Sequence, residues 1–366
     1  MRRAPAAVGQ RLEAVDTPAL VLDLDAFEAN LDTLRESVRG RPVRVRPHAK
    51  THKCPDVAKR QIARGAIGMC CQKVSEAEAM VEGGIADVLV SNEVVGAAKL
   101  ERLAALAAHA RIGVCVDNLQ SVRELAALGA PLDVYVEIDV GMKRCGVPPG
   151  AAAVELAKMT CASAPLRFAG LQAYHGRAQH MRTMEERHAV IEAAAQHVLH
   201  TRRLLEEAGI ACPIVTGAGS GTYMFEVESG AWDEIQPGSY AFMDADYAQN
   251  EWAAPLPRFQ HALFVLTTVM SRPSAQLAIV DAGLKASSVD SGMPAIWQRP
   301  GLDYTHASDE HGWVEGAGRA VPALGEKLLL VPGHCDPTIN LYDWYVCVRK
   351  GIVADLWAIT ARGALT

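Results

Sequence analysis

Short apolar, β-branched segments alternate with longer stretches rich in Ala, Leu and Glu over two thirds of the chain, and this alternation constrains the fold most. Helical spacing of apolar residues is clearest in the longest stretch, 181–210. Eight strand-like segments are predicted: Val43–His48, Ile67–Gln72, Asp87–Ser91, Arg111–Asp117, Asp133–Asp139, Phe168–Tyr174, Ile214–Gly217 and Glu234–Pro237. Such a repeat predicts an α/β fold, a parallel (β/α)8 barrel of the TIM type. A doubly wound open sheet is the alternative, but no GxGxxG follows an early strand.

The character of the sequence changes after "NEWAAPLPRF". Strand-like runs broken by Gly, Pro, Ser and Asp follow, which indicates a mainly β domain. We therefore predict a barrel domain over residues 25–255 and a β domain over 256–366 that also includes residues 1–24. The apolar stretch "ALVLDLDAF" is either a strand of the β domain or the entry to the barrel. A closing hairpin is expected to turn at Lys350-Gly351.

Composition excludes several classes of function. The formal net charge is -6 and no polybasic run is present, so neither nucleic acid nor a membrane surface is an expected partner. The N-terminus lacks the apolar segment of a secretory signal. Nine cysteines without a CxxC pair fit reduced thiols better than a disulfide framework. These features are typical of a cytoplasmic enzyme acting on a small molecule.

The end of the first predicted strand carries two lysines, in "RPHAKTHK". Residues at the carboxyl ends of barrel strands form the active site in this architecture. Burial there lowers the pKa of a lysine and makes its amine competent to form a Schiff base. Lys50 lies at the strand end and Lys53 one helical turn further on. The alternative is that both are solvated lysines at the start of a helix.

Two glycine- and serine-containing turns follow the seventh and eighth predicted strands, in "TGAGSGTY" and "QPGSYAF". Backbone N–H groups and a hydroxyl can bind a phosphate, and the last loops of a barrel are its usual phosphate site. Either turn alone is more often a plain turn. Their succession at the last two strands favours a phosphate-binding role.

Polar residues also follow the fifth and sixth predicted strands. Arg144 in "EIDVGMKRCG" could bind a carboxylate by two parallel hydrogen bonds, or be a solvated loop residue. Tyr174, in "AYHGRAQH", could flank a flat ring. In the same stretch His175 or His180 could serve as an acid or base, although a single histidine is more often structural.

The stretch "VPGHCDPTIN" places three metal-binding side-chain types side by side. If the stretch is extended, His334 and Asp336 share one face and Cys335 points to the other. A nitrogen–oxygen pair suits Mn²⁺, Mg²⁺ or Zn²⁺, whereas a shift of register would offer the Cys335 thiolate and favour zinc. A loop that turns at Pro337 is the alternative. Lysine, phosphate turns, carboxylate-binding arginine and metal pair together point to pyridoxal phosphate plus a divalent ion.

The chain resembles the fold-type III pyridoxal-phosphate enzymes related to alanine racemase, and among them the D-threonine aldolase family. The resemblance covers nearly the whole length. The motifs that carry it are "TPALVLDLDAFEANL", "RPHAKTHKCPDVA", "GMCCQKVSEAEAM", "VSNEVVG", "VCVDN", "EIDVGMKRCGV", "GLQAYHG", "GSYAFMDADY", "VDAGLKA", "DEHG" and "VPGHCDPTINLYD". The loop "GAGSGTY" departs from the expected pattern, which is closer to three glycines followed by Thr.

The resemblance implies roles for individual residues. The cofactor-bearing lysine falls on Lys50 and the metal ligands on His334 and Asp336, with Mn²⁺ or Mg²⁺ as the ion. Catalytic roles fall on Lys50, His180 and Arg144. The cofactor-binding residues implied are Lys50, Gln72, Tyr174, Ser220, Gly221, Gly238 and Ser239. Active sites of this family form between two subunits, so a homodimer is implied.

The activity implied is metal-dependent retro-aldol cleavage of D-3-hydroxy amino acids of the D-threonine type to glycine and an aldehyde. The base is either His180 or a metal-bound water. One alternative is a D-3-hydroxyaspartate aldolase, for which Lys285 or Arg177 could supply an extra basic group. A second is a D-serine dehydratase-type lyase, which carries Cys where this chain has Asp336. A third, a non-catalytic pyridoxal-phosphate carrier, typically lacks a second domain.

Overall fold

The computed structural model describes residues 3–253, 256–318 and 320–366. Strand β1 (Ala19–Asp23) comes first and leads directly into helix α1 (Leu24–Ser37). The Asp23 carboxylate accepts hydrogen bonds from the N–H groups of Asp25 and Ala26, which otherwise have no partner in the first turn. This cap fixes the point at which the chain turns from strand to helix.

Eight parallel strands follow, separated by helices. The strands are β2 (Arg44–Val45), β3 (Met69–Cys71), β4 (Asp87–Glu93), β5 (Arg111–Val116), β6 (Asp133–Glu137), β7 (Arg167–Ala173), β8 (Ile214–Gly217) and β9 (Glu234–Ile235). The helices are α2 (Pro55–Ile62), α3 (Val74–Glu82), α4 (Ala97–Leu106), α5 (Leu119–Ala127), α6 (Ala151–Cys161), α7 (Met184–Glu207) and α8 (Tyr223–Ser229).

The parallel strands form one sheet in the order β2-β9-β8-β7-β6-β5-β4-β3. Its two ends meet where His48 bridges Cys70, and the Ile67 N–H donates to the Val45 carbonyl at 2.9 Å. The sheet is thereby closed into a barrel. Each of the eight predicted segments overlaps one barrel strand, which confirms the predicted fold class. The strands are apolar on both faces because helices cover the outside and side chains fill the inside.

The second sheet has nine strands, including β1. The others are β10 (Leu263–Ser271), β11 (Leu277–Val280), β12 (Ala295–Ile296), β13 (Leu302–Ala307), β14 (Gly312–Gly316), β15 (Lys327–Val331), β16 (Trp344–Arg349) and β17 (Ile352–Ala358), with helix α9 (Cys335–Ile339) between β15 and β16. Strand β1 lies between β10 and β16, so "ALVLD" belongs to this sheet. The β16–β17 hairpin turns at Lys350 and Gly351, as predicted.

The strand-like runs predicted for this domain are "HALFVLTTVMSR", "AQLAIVDAG", "EKLLLVPG" and "YDWYVCVRKGIVADLWAIT", and strands β12, β13 and β14 have no counterpart among them. Every residue of β13 except Tyr304 is partly or fully exposed, so its apolar pattern is weak. The predicted boundary between residues 255 and 256 falls next to Ala254 and Pro255, which lie outside the described residues. The division of the chain at that point stays a prediction. Within the described ranges, no helix is long and apolar enough to cross a membrane.

Candidate active site

A cavity of about 130 Å³ opens at the carboxyl ends of the barrel strands, against the loop that precedes α9. The structure brings nearly every predicted site residue to its wall. Lining residues among the predicted set are Lys50, Gln72, Arg144, Tyr174, His180, Ser220, Gly238, Ser239, His334 and Asp336. They come from positions up to 286 residues apart in the chain, which the closed barrel and the second sheet place together.

Lys50 lies in a short 3-10 helix, Ala49–Thr51, that follows the first barrel strand. His48 caps this turn, because its Nδ1 accepts the Lys50 N–H at 3.3 Å. Burial lowers the pKa of His48 well below its usual value, so the neutral ring can donate its Nε2–H to Ser91 at 3.2 Å. The His48 ring thus links the turn that carries Lys50 to Ser91 of strand β4.

The Lys50 ammonium lies 3.6 Å from Asp336 Oδ2. Burial acts to lower the pKa of Lys50, but the Asp336 carboxylate outweighs it, so the pKa lies above its usual value. The expectation that desolvation alone would lower this pKa was therefore wrong. The sequence could not reveal that a carboxylate from the other sheet would face the lysine.

Lys53, the other lysine of the motif, does not line the cavity. Its side chain is 7% exposed and pairs with Glu76, which is 3% exposed. The second oxygen of Glu76 accepts the N–H of Gln72 at 2.7 Å and that of Lys73 at 3.3 Å. Lys53 therefore joins the turn that carries Lys50 to the turn that carries Gln72, and its amine is already engaged.

The two glycine–serine turns lie side by side at the cavity. The Tyr240 N–H donates to Ser220 Oγ at 2.9 Å and joins them. Among the described residues, the backbone N–H groups of Gly219, Ser220, Gly238 and Ser239 donate to no protein acceptor. A Cβ at Gly238 would lie 2.4 Å from Thr51 Oγ1, so this turn is built for glycine. Free N–H donors together with two serine hydroxyls fit a phosphate group.

Among the predicted cofactor-binding residues, Gly221 does not reach the cavity wall, and its N–H donates to Gln179 Oε1 at 2.9 Å. Its predicted contact with the cofactor stays a prediction. The departure from the family pattern falls on Ala218, which has a φ of 69°. A non-glycine residue in this left-handed region carries strain, and a glycine there would relieve it.

His334 and Asp336 both line the cavity, but the stretch is extended only at His334. His334 is at the N-cap position of the one-turn helix α9, and Asp336 lies in its first turn. Cys335, between them, is fully buried. Burial raises the pKa of its thiol well above the usual value, and the residue does not line the cavity. His334 and Asp336 reach the cavity together because the backbone is extended at His334 and enters the helix only after it.

The pair fits a divalent ion. Asp336 Oδ1 is buried and, among the described residues, has no hydrogen-bond partner. His334 donates its Nδ1–H to Asp290 Oδ2 at 2.8 Å, which leaves Nε2 as the free ring nitrogen. A nitrogen and a carboxylate oxygen suit Mn²⁺, Mg²⁺ or Zn²⁺. No group of three or more metal-binding side chains occurs in the described part of the chain, so two protein ligands are what this site offers.

Arg144 lies at the rim of the cavity. Its guanidinium carbon is 5.8 Å from the centre of the Tyr174 ring, and Nη2 is 4.0 Å from Glu137 Oε1. Burial and the neighbouring carboxylate of Glu93 raise the pKa of Glu137 to about 8. A neutral Glu137 leaves the charge of Arg144 available for an anion.

His180 ends a 3-10 helix, Gly176–His180, and lines the cavity. Its Nδ1 lies 2.6 Å from Asp246 Oδ2. His175, the other candidate acid or base, has its Nδ1 engaged with the Ala178 N–H at 3.2 Å and does not line the cavity. His180 is therefore the histidine of "AYHGRAQH" that is available for chemistry.

Several lining residues were not predicted: His48, Thr51, Ser91, Gln172, Gln236 and Tyr247. Gln172 and Gln236 form the floor, with Gln236 Nε2 donating to Gln172 Oε1 at 2.9 Å. All of them except Tyr247 lie within three residues of the carboxyl end of a predicted strand. A polar residue at the end of an otherwise apolar strand was the signal that could have identified them.

Two family models match most of the chain. The family described as "Alanine racemase, N-terminal domain" matches residues 22–246, and the "Putative serine dehydratase domain" matches residues 262–348. A D-threonine aldolase of Arthrobacter sp is 51% identical over 98% of this chain and 96% of its own. The chain belongs to the D-threonine aldolase family.

The other similar proteins include two aldolases and a dehydratase. The crystal structure of D-threonine aldolase from Filomicrobium marinum superposes with a TM-score of 0.98 at 52% identity, covering 99% of this chain and 100% of that one. A 3-hydroxy-D-aspartate aldolase of Paracoccus denitrificans (strain Pd 1222) is 47% identical over 98% of this chain and 95% of its own. D-threo-3-hydroxyaspartate dehydratase from Delftia sp. HT23 has a TM-score of 0.83 at 28% identity, covering 95% of this chain and 98% of that one.

Proposed function

We propose that this protein is a pyridoxal-phosphate- and divalent-metal-dependent aldolase that cleaves D-3-hydroxy amino acids of the D-threonine type to glycine and an aldehyde. One observation carries the proposal. A lysine amine, a cradle of free backbone N–H donors and a His334–Asp336 pair line the same cavity. The 51% identity to a D-threonine aldolase supports it.

Lys50 would hold pyridoxal phosphate, with its phosphate on the N–H groups of the two turns, and His334 and Asp336 would hold Mn²⁺ or Mg²⁺. When bound, the cofactor ring withdraws electrons from the substrate Cα and the ion lowers the pKa of the β-hydroxyl. The cavity residues do the rest. Arg144 binds the substrate carboxylate at the rim, and the ring nitrogen Nε2 of His180 accepts the hydroxyl proton.

The balance of the reaction follows from these positions. The hydroxyl proton leaves to His180, the Cα–Cβ bond breaks, and its electron pair stays on Cα while the β-carbon becomes the aldehyde carbonyl. Cα then takes up a proton from solvent to give glycine, and His180 releases the hydroxyl proton to solvent, so that no net proton is gained or lost. The cavity wall is lined mainly by polar groups, which suits a polar amino-acid substrate.

The placement of two basic residues favours a neutral side chain on the substrate. Lys285 pairs with Glu310 at 2.6 Å and does not line the cavity. Arg177 is exposed and does not line it either. Neither supplies, from within this chain, the extra cation that a second substrate carboxylate would need. D-Threonine is therefore ranked above D-3-hydroxyaspartate, and the oxygen ligand Asp336 disfavours D-serine dehydration.

The test is a product assay with the pyridoxal-phosphate-loaded enzyme and Mn²⁺, given D-threonine, D-3-hydroxyaspartate and D-serine in parallel, each with and without EDTA. Glycine and acetaldehyde from D-threonine, lost with EDTA, are expected. Pyruvate and ammonia from D-serine as the main products would refute the aldolase assignment. Lys50→Ala is expected to lose both the visible absorbance of the lysine-linked cofactor and turnover.

We also propose a cytoplasmic homodimer. Nine free cysteines, of which six are fully buried, support a reducing compartment. The family resemblance supports the dimer. Light scattering coupled to size-exclusion chromatography of the full chain tests it, with a mass near twice 39.2 kDa expected.

A further inference from the structure

The segment "FMDADY" carries two buried aspartates that the proposed reaction does not use. Asp244 is fully buried and accepts the Cys335 N–H at 3.1 Å, next to the metal pair. Asp246 is 6% exposed and lies beside His180. Both aspartates therefore contact segments that carry functional side chains. Asp246 contacts the candidate base, His180, directly.

Asp246 divides its two oxygens between two partners. Oδ2 lies 2.6 Å from His180 Nδ1, and Oδ1 accepts from Arg182 Nη2 at 2.5 Å. Arg182 is itself fixed, because its Nη1 donates to the Asp246 carbonyl at 2.9 Å and to Asn250 Oδ1 at 2.8 Å. The carboxylate is therefore held in one orientation, and it can hold the imidazole in turn.

The protonation of the carboxylate decides which nitrogen of His180 carries hydrogen. Burial acts to raise the pKa of Asp246, but hydrogen bonds from Arg182 and His180 outweigh it, and the pKa lies below its usual value. An ionised carboxylate only accepts hydrogen bonds, so Nδ1 must donate. In a neutral imidazole this leaves Nε2 unprotonated, and among the described residues Nε2 has no protein partner.

We propose that Asp246, anchored by Arg182, is a positioning residue that holds His180 in the Nδ1-protonated form with Nε2 facing the cavity as the base for the substrate β-hydroxyl. The proposal rests on the proposed function and chooses His180 over a metal-bound water as the base. A carboxylate that fixes the tautomer and orientation of a histidine base performs the same task in hydrolases of unrelated folds.

The kinetic test is a double-mutant cycle on the loaded enzyme with Mn²⁺. The variants are Asp246→Asn, His180→Gln and the pair together. Asp246→Asn is expected to lower kcat/KM for D-threonine about 10²-fold or more, mainly through kcat. On the His180→Gln background it should cost less than about threefold, because the residue through which it acts is gone. Equal losses on both backgrounds would mean a structural role and would overturn the proposal.

A matched control is Asp233→Asn. Asp233 is also paired with an arginine, Arg202 at 2.5 Å, and its other contact is the Val215 N–H at 2.7 Å, so that, unlike Asp246, it touches no residue that lines the cavity. This variant is expected to keep the wild-type kcat/KM. A loss equal to that of Asp246→Asn would show that removing any arginine-paired carboxylate is enough to slow the enzyme, and would also overturn the proposal.

A spectroscopic measurement separates failure of this proposal from failure of the proposed function. Long-range ¹H–¹⁵N spectra of histidine-labelled, pyridoxal-phosphate-loaded enzyme with Mg²⁺ report the tautomer, and loss of the signal in His180→Gln assigns it. Wild type is expected to show Nδ1–H, and Asp246→Asn a mixture or the Nε2–H form. An Nε2–H tautomer in wild type, or no change in Asp246→Asn, contradicts the inference whatever the product assay gives.

Discussion

Lys53→Met tests whether the buried ion pair with Glu76 supports the site. Both side chains are less than a tenth exposed, so the substitution leaves a carboxylate inside the protein without its cation. Breaking a buried pair by removing one partner costs about 3–5 kcal/mol. The two N–H groups that Glu76 accepts keep it partly satisfied, which places the expected loss toward the lower end.

The loss can be expressed as a melting temperature. Unfolding entropy of roughly 2.1 cal/mol/K per residue, over 366 residues, amounts to about 0.8 kcal/mol per kelvin, so 3–5 kcal/mol corresponds to a fall of roughly 4–6 °C. Circular dichroism melts with saturating pyridoxal phosphate measure it. The variant is also expected to bind the cofactor more weakly, because Gln72 loses the support of a fixed Glu76.

Two further variants complete this experiment. Lys285→Met removes an exposed lysine that also pairs with a glutamate, and is expected to leave the melting temperature nearly unchanged. Lys53→Met combined with Glu76→Gln removes both charges and should recover part of the stability. A Lys53→Met protein that melts within about 1 °C of wild type would refute the reasoning, since the pair would then contribute little.

Three other outcomes are expected. Gly238→Ala should weaken pyridoxal-phosphate binding, measured by fluorescence titration, because its Cβ would meet Thr51 Oγ1 at 2.4 Å. Asp336→Ala should lose the thermal stabilisation that Mn²⁺ gives, whereas Cys335→Ala should keep it; the reverse ranking would assign the metal to sulfur. Burial raises the pKa of Glu226 to about 8, so its ionisation destabilises the native state as pH rises from about 4.5 to 8. The melting temperature of Glu226→Gln relative to wild type should therefore increase between pH 5 and pH 8.5, and a constant difference would contradict this.

The barrel could be predicted from the sequence because its information is local. Each strand is a short apolar run and each helix a longer amphipathic one, and eight repeats leave little choice of architecture. Strand β1 could not be assigned in this way, since the same apolar residues suit either sheet. Its partners, β10 and β16, lie more than 200 residues away, and only the assembled sheet decides between the two.

The site was predicted as a set of residue types rather than as a set of contacts. Lys50, His334 and Asp336 were identified through their motifs, but the 3.6 Å approach of Lys50 to Asp336 depends on the packing of two sheets. The raised pKa of Lys50 follows from that approach. Asp246 was part of a quoted motif and still received no role, because its partners His180 and Arg182 lie more than 60 residues earlier in the chain.

The two residues that follow the Lys50 turn are held by the C-terminal part of the chain. Tyr345 donates its hydroxyl to the His52 carbonyl at 2.7 Å, and the Ala361 N–H donates to the Lys53 carbonyl at 3.0 Å. The position of the reactive lysine therefore depends on residues outside the barrel. Chimeras that exchange one half between relatives should work only if residues 48–53 and 334–361 come from the same parent, so the two halves are expected to have been inherited together.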